Sequence, residues 1–190
     1  MLNKTQTTLM ATLTILAATA TSNAGTFTMI KEIEDSEIWV YEGEVTKGDA
    51  KKLESIIKRD PHIIMVIDSP GGDALEGFAL GRTTSRYRDE ITLVAESAYS
   101  AAGMWWLADD DGTFLDDESE VGWHLSYMYG KQVPEHTAQV LGYMTGKYLE
   151  DMLDEEIATN MMIAMANLQE KEGKFALMTL RKDGKIRTRR

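Results

Sequence analysis

Short blocks of hydrophobic residues alternate with polar segments along the first half of the chain. Three apolar runs rich in β-branched residues predict buried strands, at 38–41, 63–68 and 91–95. Between the strands, apolar residues recur at helical spacing and predict helices at 46–59 and 73–88, with Thr46 and Asp73 as candidate N-caps. This β-α-β-α-β order is typical of an α/β fold with a mostly parallel sheet and right-handed crossovers.

The second half of the chain changes to longer helical patterns. Small and aromatic residues predict a short buried helix at 101–108, and two short strands are predicted at 113–115 and 120–124. A long C-terminal helical region follows at 134–172, with an interruption expected near the glycines of 142–146. We interpret the basic tail at 181–190 as a solvated terminus. These elements predict a single domain spanning 25–190.

The N-terminal segment 1–24 has the features of a secretory signal. Lys4 precedes an apolar stretch at 9–20, and Ser22 and Ala24 supply small residues at the expected cleavage site. The stretch is shorter than the roughly 20 apolar residues that span a bilayer. We therefore expect a periplasmic or secreted protein without stable membrane insertion after cleavage; an uncleaved anchor is the alternative.

Composition narrows the range of functions. The formal net charge of −11 argues against nucleic acid as a partner. The absence of cysteine excludes thiol catalysis, disulfides and cysteine-based metal sites. Acidic residues at 109–111 and 116–118 match no calcium-loop spacing, so we interpret them as solvated loops. We predict no metal and no cofactor.

Three short motifs point to a serine-hydrolase site. Gly71 and Gly72 follow a strand, where backbone without Cβ can approach a ligand and offer N–H groups to an oxyanion. Ser100 stands at a predicted strand-to-helix junction, which suits a nucleophile that attacks a carbonyl carbon. His124, at the end of a later strand, is the candidate base. His62 follows Pro61 at the entrance to a strand and His136 lies in a polar turn before a helix, so both are less suitable.

The order of these motifs resembles the Clp protease proteolytic subunit and its relatives in the signal-peptide-peptidase and crotonase-like superfamily, over 38–129. The resemblance implies that Ser69-Pro70-Gly71-Gly72 supplies part of the oxyanion hole and that the Ala101 N–H completes it. It also implies Ser100 as nucleophile and His124 as base. Relatives assemble into rings or stacks that admit extended chains, so a homo-oligomer acting on peptide or unfolded protein is expected.

The third member of the family's triad has no evident counterpart. Counting back from Phe175 leads to Gln169, between Asn167 and Glu170, and no aspartate stands there. Asn167, Glu170 or Glu172 could orient the imidazole, as could Gln169 itself, or the site could operate as a Ser-His dyad.

Three alternatives remain open at this point. Signal-peptide peptidases use a Ser-Lys dyad, for which Lys147 is the candidate base if burial lowers its pKa. The missing aspartate also fits a catalytically inactive scaffold or partner-binding protein. A crotonase-like acyl-CoA enzyme would share the oxyanion geometry.

Overall fold

The computed structural model describes residues 24–59, 62–125, 134–172 and 177–189. The strands are β1 (Thr26–Ile33), β2 (Ser36–Glu42), β3 (His62–Ser69), β4 (Ile91–Tyr99), β5 (Thr113–Phe114), β6 (Glu120–Trp123), β7 (Leu177–Arg181) and β8 (Ile186–Arg189). The helices are α1 (Asp49–Ile57), α2 (Ala74–Arg86), α3 (Ala101–Trp106), α4 (Glu135–Met152) and α5 (Glu155–Glu172). The strands form one sheet in the order β1-β2-β3-β4-β6-β7-β8, and β5 pairs with β4.

The sheet is mixed, which confirms the α/β class but corrects the expectation of a mostly parallel sheet. Strands β2, β3, β4 and β6 are mutually parallel in the centre, whereas β1, β7 and β8 are antiparallel to their neighbours. The outer strands belong to hairpins: Ile33 pairs with Ser36 across a two-residue turn, and Leu180 pairs with Ile186 beside Gly184. A short hairpin turn can join only antiparallel strands.

One prediction for the C-terminal half is wrong in position, and a second is incomplete. The break in the helical region lies at Leu153, whose backbone is extended, and Gly142 and Gly146 are within α4. A Cβ on either glycine would meet no atom within 4 Å, so both are simply open positions on the helix. The basic tail is solvent-exposed, as expected, but it is not a free terminus, because its residues continue β7 and form β8.

Helix α3 is fixed inside the main core. The core fills the space between the helices and one face of β2, β3 and β4. Tyr148 of α4 is fully buried and donates its hydroxyl proton to the Met104 carbonyl at 2.6 Å. A Cβ at Gly81 of α2 would come within 1.8 Å of that hydroxyl, so glycine permits the three helices to meet there. The segment directly after Ser100 is therefore held on all sides.

The predicted signal segment lies almost entirely outside the described residues. Across the ranges that are described, none of the helices is both long enough and apolar enough to cross a bilayer.

Candidate active site

The three candidate motifs follow three neighbouring parallel strands. Ser69 at the end of β3 pairs with Ala98 of β4, and Tyr99 at the end of β4 pairs with Gly122 of β6. Because parallel strands end at the same edge of a sheet, the Gly-Gly turn, Ser100 and His124 all emerge there. This edge is where open α/β sheets bind their ligands.

Ser100 occupies a single-residue turn between β4 and α3. Its backbone has φ 55° and ψ −117°, a conformation that a non-glycine residue rarely adopts. The Ser100 N–H donates to the Gly122 carbonyl at 2.8 Å, which ties the turn to β6. Its side chain is partly exposed. Strained positions of this kind cost on the order of 1–3 kcal/mol and cluster at functional sites.

Gly71 lies directly against this serine. A Cβ on Gly71 would fall 2.5 Å from the Tyr99 carbonyl oxygen, 2.6 Å from the Ser100 Cβ and 3.1 Å from the Ala101 nitrogen. Its φ of 95° also lies in the region that favours glycine. The structure therefore brings Gly71, Ser100 and Ala101 together, and only glycine fits this approach.

Ser69 ties the glycine turn to the loop that follows β2. Its side chain is fully buried, donates to the Gly43 carbonyl at 2.7 Å and accepts the Gly71 N–H at 3.1 Å. The Gly71 N–H is therefore engaged within the turn. Sequence reasoning missed this role, because the Gly43 partner lies 26 residues away.

Val45 leaves the second glycine N–H available. The Val45 N–H donates to the Gly71 carbonyl at 2.8 Å, and the Val45 carbonyl accepts the Asp73 N–H at 2.9 Å. None of these bonds uses the N–H of Gly72, and Gly72 is an exposed residue. Asp73 caps α2 as predicted, since its carboxylate accepts from two N–H groups of the first turn. Of the two candidate glycines, Gly72 is the better oxyanion donor.

Substituting Ser69 with alanine is expected to destabilise the protein by about 1–3 kcal/mol, because the change leaves the partly buried Gly43 carbonyl and the buried Gly71 N–H without a partner. Urea unfolding of wild type and Ser69→Ala measures the difference. Ser55→Ala is the control: that hydroxyl is exposed and bonds only within α1, so its loss should cost less. Equal midpoints for all three proteins would contradict the role assigned to Ser69.

His124 follows β6 and is partly buried. Its Nδ1 lies 2.7 Å from the carbonyl oxygen of Leu125. Since a carbonyl only accepts, Nδ1 is the donor and Nε2 carries the lone pair in the neutral ring. Burial lowers the pKa of His124, and the bond to Leu125 partly opposes that shift. The lowered pKa favours the neutral ring, the form that a general base requires.

The Ser100 hydroxyl and the His124 ring are not joined by a hydrogen bond within the described part of the chain. Catalytic pairs are often loosely aligned without substrate and tighten in the reacting complex. The other two histidines lie elsewhere: the His62 ring contacts Thr92 Oγ1 at 3.0 Å at the far end of β3, and His136 is exposed on α4.

The lowered pKa of His124 predicts how the rate of Ser100 acylation falls at acidic pH. The neutral ring accepts the serine proton, so the rate should fall as pH decreases through the folded-state pKa. Because burial lowers that pKa, the midpoint should lie below about 6.5, the ordinary value for histidine. The rate of reaction with a serine-directed acylating probe between pH 4.5 and 8 measures it. A midpoint above 7 would contradict a buried neutral base.

The surroundings of Lys147 do not suit a catalytic base, and those of Asn167 do not suit a residue that orients one. Lys147 is exposed and its Nζ lies 2.5 Å from the Glu150 carboxylate, a contact that raises the pKa of Lys147. A lysine base requires the opposite shift. Asn167 is exposed on α5. The side chains of Gln169 and Glu170 lie outside the described part of the chain.

A β-bulge precedes Ser100. Ile67 pairs with Ala95, but the next residue, Asp68, pairs with Ser97, so Glu96 is an extra residue in β4. The Ser97 hydroxyl donates to the Asp68 carboxylate. Asp68 is thus partly buried and bonded to β4. Burial raises the pKa of Glu96, and the neighbouring Asp68 adds to the shift.

One predicted solvated loop is likewise partly buried. The Asp109 carboxylate accepts the Leu93 N–H at 2.6 Å, and burial raises the pKa of Asp109. In the ranges given above, no three side chains of His, Asp or Glu are grouped to hold a metal ion.

Comparison with known proteins supports the fold. A point mutant of ClpP1 from Listeria monocytogenes has a similar structure, with a TM-score of 0.50 and 12% sequence identity, covering 64% of this chain and 75% of that one. At this identity the similarity concerns the fold alone. No family model matches the chain, and no curated protein matches its sequence. The chain therefore has a ClpP-like mixed α/β fold.

Proposed function

We propose that this protein is a serine peptidase in which Ser100 is the nucleophile and His124 the base. The observation that carries the proposal is the contact of the Gly71 turn with a strained, partly exposed serine at the first turn of α3. This contact brings Gly71 against the Ser100 Cβ and the Ala101 nitrogen, and we assign the N–H groups of Gly72 and Ala101 as the oxyanion donors. The ClpP-like fold supports the same reaction class.

Each of the proposed site residues has one role in peptide hydrolysis. His124 Nε2 takes the Ser100 proton while Oγ forms a bond to the substrate carbonyl carbon. The N–H groups of Gly72 and Ala101 stabilise the resulting oxyanion. The imidazolium returns the proton to the leaving amine as the peptide bond breaks, leaving an acyl-serine. Water, deprotonated by His124, then releases the acid and restores Ser100.

The proposed substrate is an extended peptide or an unfolded protein, and the proposed location is the periplasm or the exterior. The predicted leader supports that location. Self-association into a homo-oligomer is supported by large apolar side chains on the outer helices: Val140 and Tyr143 of α4 are 43% and 68% exposed, and Ile157 and Ile163 of α5 are 49% and 53% exposed.

Covalent labelling tests the proposal. A biotinylated fluorophosphonate should modify the wild-type protein, and peptide mass spectrometry should find the adduct on Ser100. A folded protein that fails to react at any serine would contradict the peptidase assignment and favour an inactive scaffold.

The identity of the base is tested separately. His124→Ala should slow labelling by about 10²-fold or more, because it removes the group that accepts the serine proton. Lys147→Ala is the matched comparison: it removes an exposed ion pair with Glu150 and should leave the rate within about twofold. The reverse pattern would favour a Ser-Lys dyad.

A further inference from the structure

A histidine base works only if its ring is held in one orientation and one tautomer. In serine hydrolases a carboxylate usually does this by accepting the Nδ1 proton. Here the position implied by the family resemblance holds Gln169, between Asn167 and Glu170, and the Asn167 side chain is exposed on α5. The contact described for Nδ1 is instead the main-chain carbonyl of Leu125, at 2.7 Å.

We propose that the Leu125 carbonyl orients His124 in place of the third triad residue, fixing the Nδ1–H tautomer so that Nε2 keeps the lone pair that accepts the Ser100 proton. This inference rests on the proposed peptidase function. The Leu125 carbonyl is a positioning group, because it acts through His124 and touches no substrate.

Two features of the chain suit a carbonyl at this position. The acceptor belongs to the residue after His124, so the bond needs no convergence of distant segments. The preceding residues are also fixed: Trp123 is 3% exposed and pairs with Met178 of β7, which sets the direction in which the chain leaves β6. The ring and its acceptor are thus carried by one anchored strand end.

A carbonyl orients the ring but stabilises the imidazolium less than a carboxylate does, because hydrogen bonds to a charged partner are roughly twice as strong. The site therefore gains the correct tautomer without burying a negative charge, which would be costly beside a partly buried ring. Acylation should consequently be slower than in a complete triad, while its dependence on His124 stays intact.

Nitrogen-15 NMR tests the tautomer directly. The protein is labelled with ¹⁵N-histidine and measured at pH 8, where the rings are neutral, and His124→Gln identifies the His124 signals by their loss. The proposal expects a protonated Nδ1 and an unprotonated Nε2. A protonated Nε2 in the wild-type protein would overturn it.

Substitutions at the other candidate orienting residues test whether a side chain, rather than the Leu125 carbonyl, fixes the His124 tautomer. Asn167→Ala, Gln169→Ala and Glu170→Gln should each leave the His124 tautomer unchanged, because none of them alters the Leu125 carbonyl. A change to the Nε2–H form or to a tautomer mixture in any of them would assign the orienting role to that side chain and overturn the proposal.

A second variant weakens the acceptor itself. Coding an α-hydroxy acid at position 126 converts the peptide after Leu125 into an ester, whose carbonyl is a poorer acceptor. The Nδ1–H population of His124 should fall, and labelling of Ser100 should slow severalfold; an unchanged spectrum and rate would count against the carbonyl.

Failure of this inference is distinguishable from failure of the proposed function. An Nε2–H spectrum in a protein whose Ser100 still reacts with fluorophosphonate would reject the carbonyl and leave the peptidase standing. An Nδ1–H spectrum in a protein whose Ser100 never reacts would retain the hydrogen bond and reject the peptidase.

Discussion

Ser100→Ala should reduce peptide hydrolysis by a factor on the order of 10⁴ to 10⁶, the range seen when a serine nucleophile is removed from an assembled site. The reason is that no other hydroxyl can form the acyl intermediate from the same turn. The measurement is single-turnover cleavage of an unstructured fluorogenic peptide, together with the yield of fluorophosphonate adduct.

Ser97→Ala is the matched control for this substitution. Ser97 lies in the same strand and its hydroxyl donates to the Asp68 carboxylate, so its removal should cost about 1 kcal/mol of stability and leave labelling of Ser100 in place. If Ser100→Ala retained wild-type cleavage while remaining folded, Ser100 would not be the nucleophile.

Gly71→Ala should damage both the fold and the reactivity of Ser100. The new Cβ would lie 2.5 Å from the Tyr99 carbonyl and 2.6 Å from the Ser100 Cβ, at a φ of 95° that alanine rarely adopts. We expect a loss of about 2–5 kcal/mol of folding stability from strain and crowding together. The labelling rate of the folded fraction should fall by about 10² to 10³-fold, since the oxyanion donors move.

Gly48→Ala separates the two causes. Gly48 has a similar φ of 101°, but a Cβ there would meet no atom within 4 Å. This control shares the backbone strain without the crowding, so it should lose about 1–3 kcal/mol and keep the labelling rate. Urea unfolding and labelling of both variants give the comparison. Equal loss of labelling in the two proteins would show that crowding against Ser100 is not what matters.

Local patterns in the sequence were sufficient for the central elements of the fold. The apolar runs before Asp68 and after Glu90 are real strands, and Asp73 caps α2 because its own side chain and the N–H groups it serves are only a few residues apart. The outer strands could not be predicted from such patterns. β1 was not predicted, and β8 was taken for a solvated tail, because an edge strand needs only one partner and few buried residues.

The hydrogen bonds that hold the glycine turn in place could not be predicted from local sequence patterns. Gly71, Ser100 and Ala101 could be proposed from residue type and order, and the structure brings them together. The bonds of Ser69 to Gly43 and of Val45 to the turn join segments 26 or more residues apart, and no periodicity encodes such pairings. The contact of His124 with the Leu125 carbonyl is local but involves only backbone, so no side-chain motif marks it.

The extra residue Glu96 in β4 determines where this chain can accept insertions and deletions. Deleting one codon between 91 and 99, other than that of Glu96, would draw a different residue into the single-residue junction and turn the preceding side chains to the opposite face of the strand. Residues 88–90, just upstream, are solvent-exposed and can absorb insertions. Gaps in alignments with distant homologues therefore belong at 88–90, or at the single bulge residue Glu96, and not elsewhere in β4.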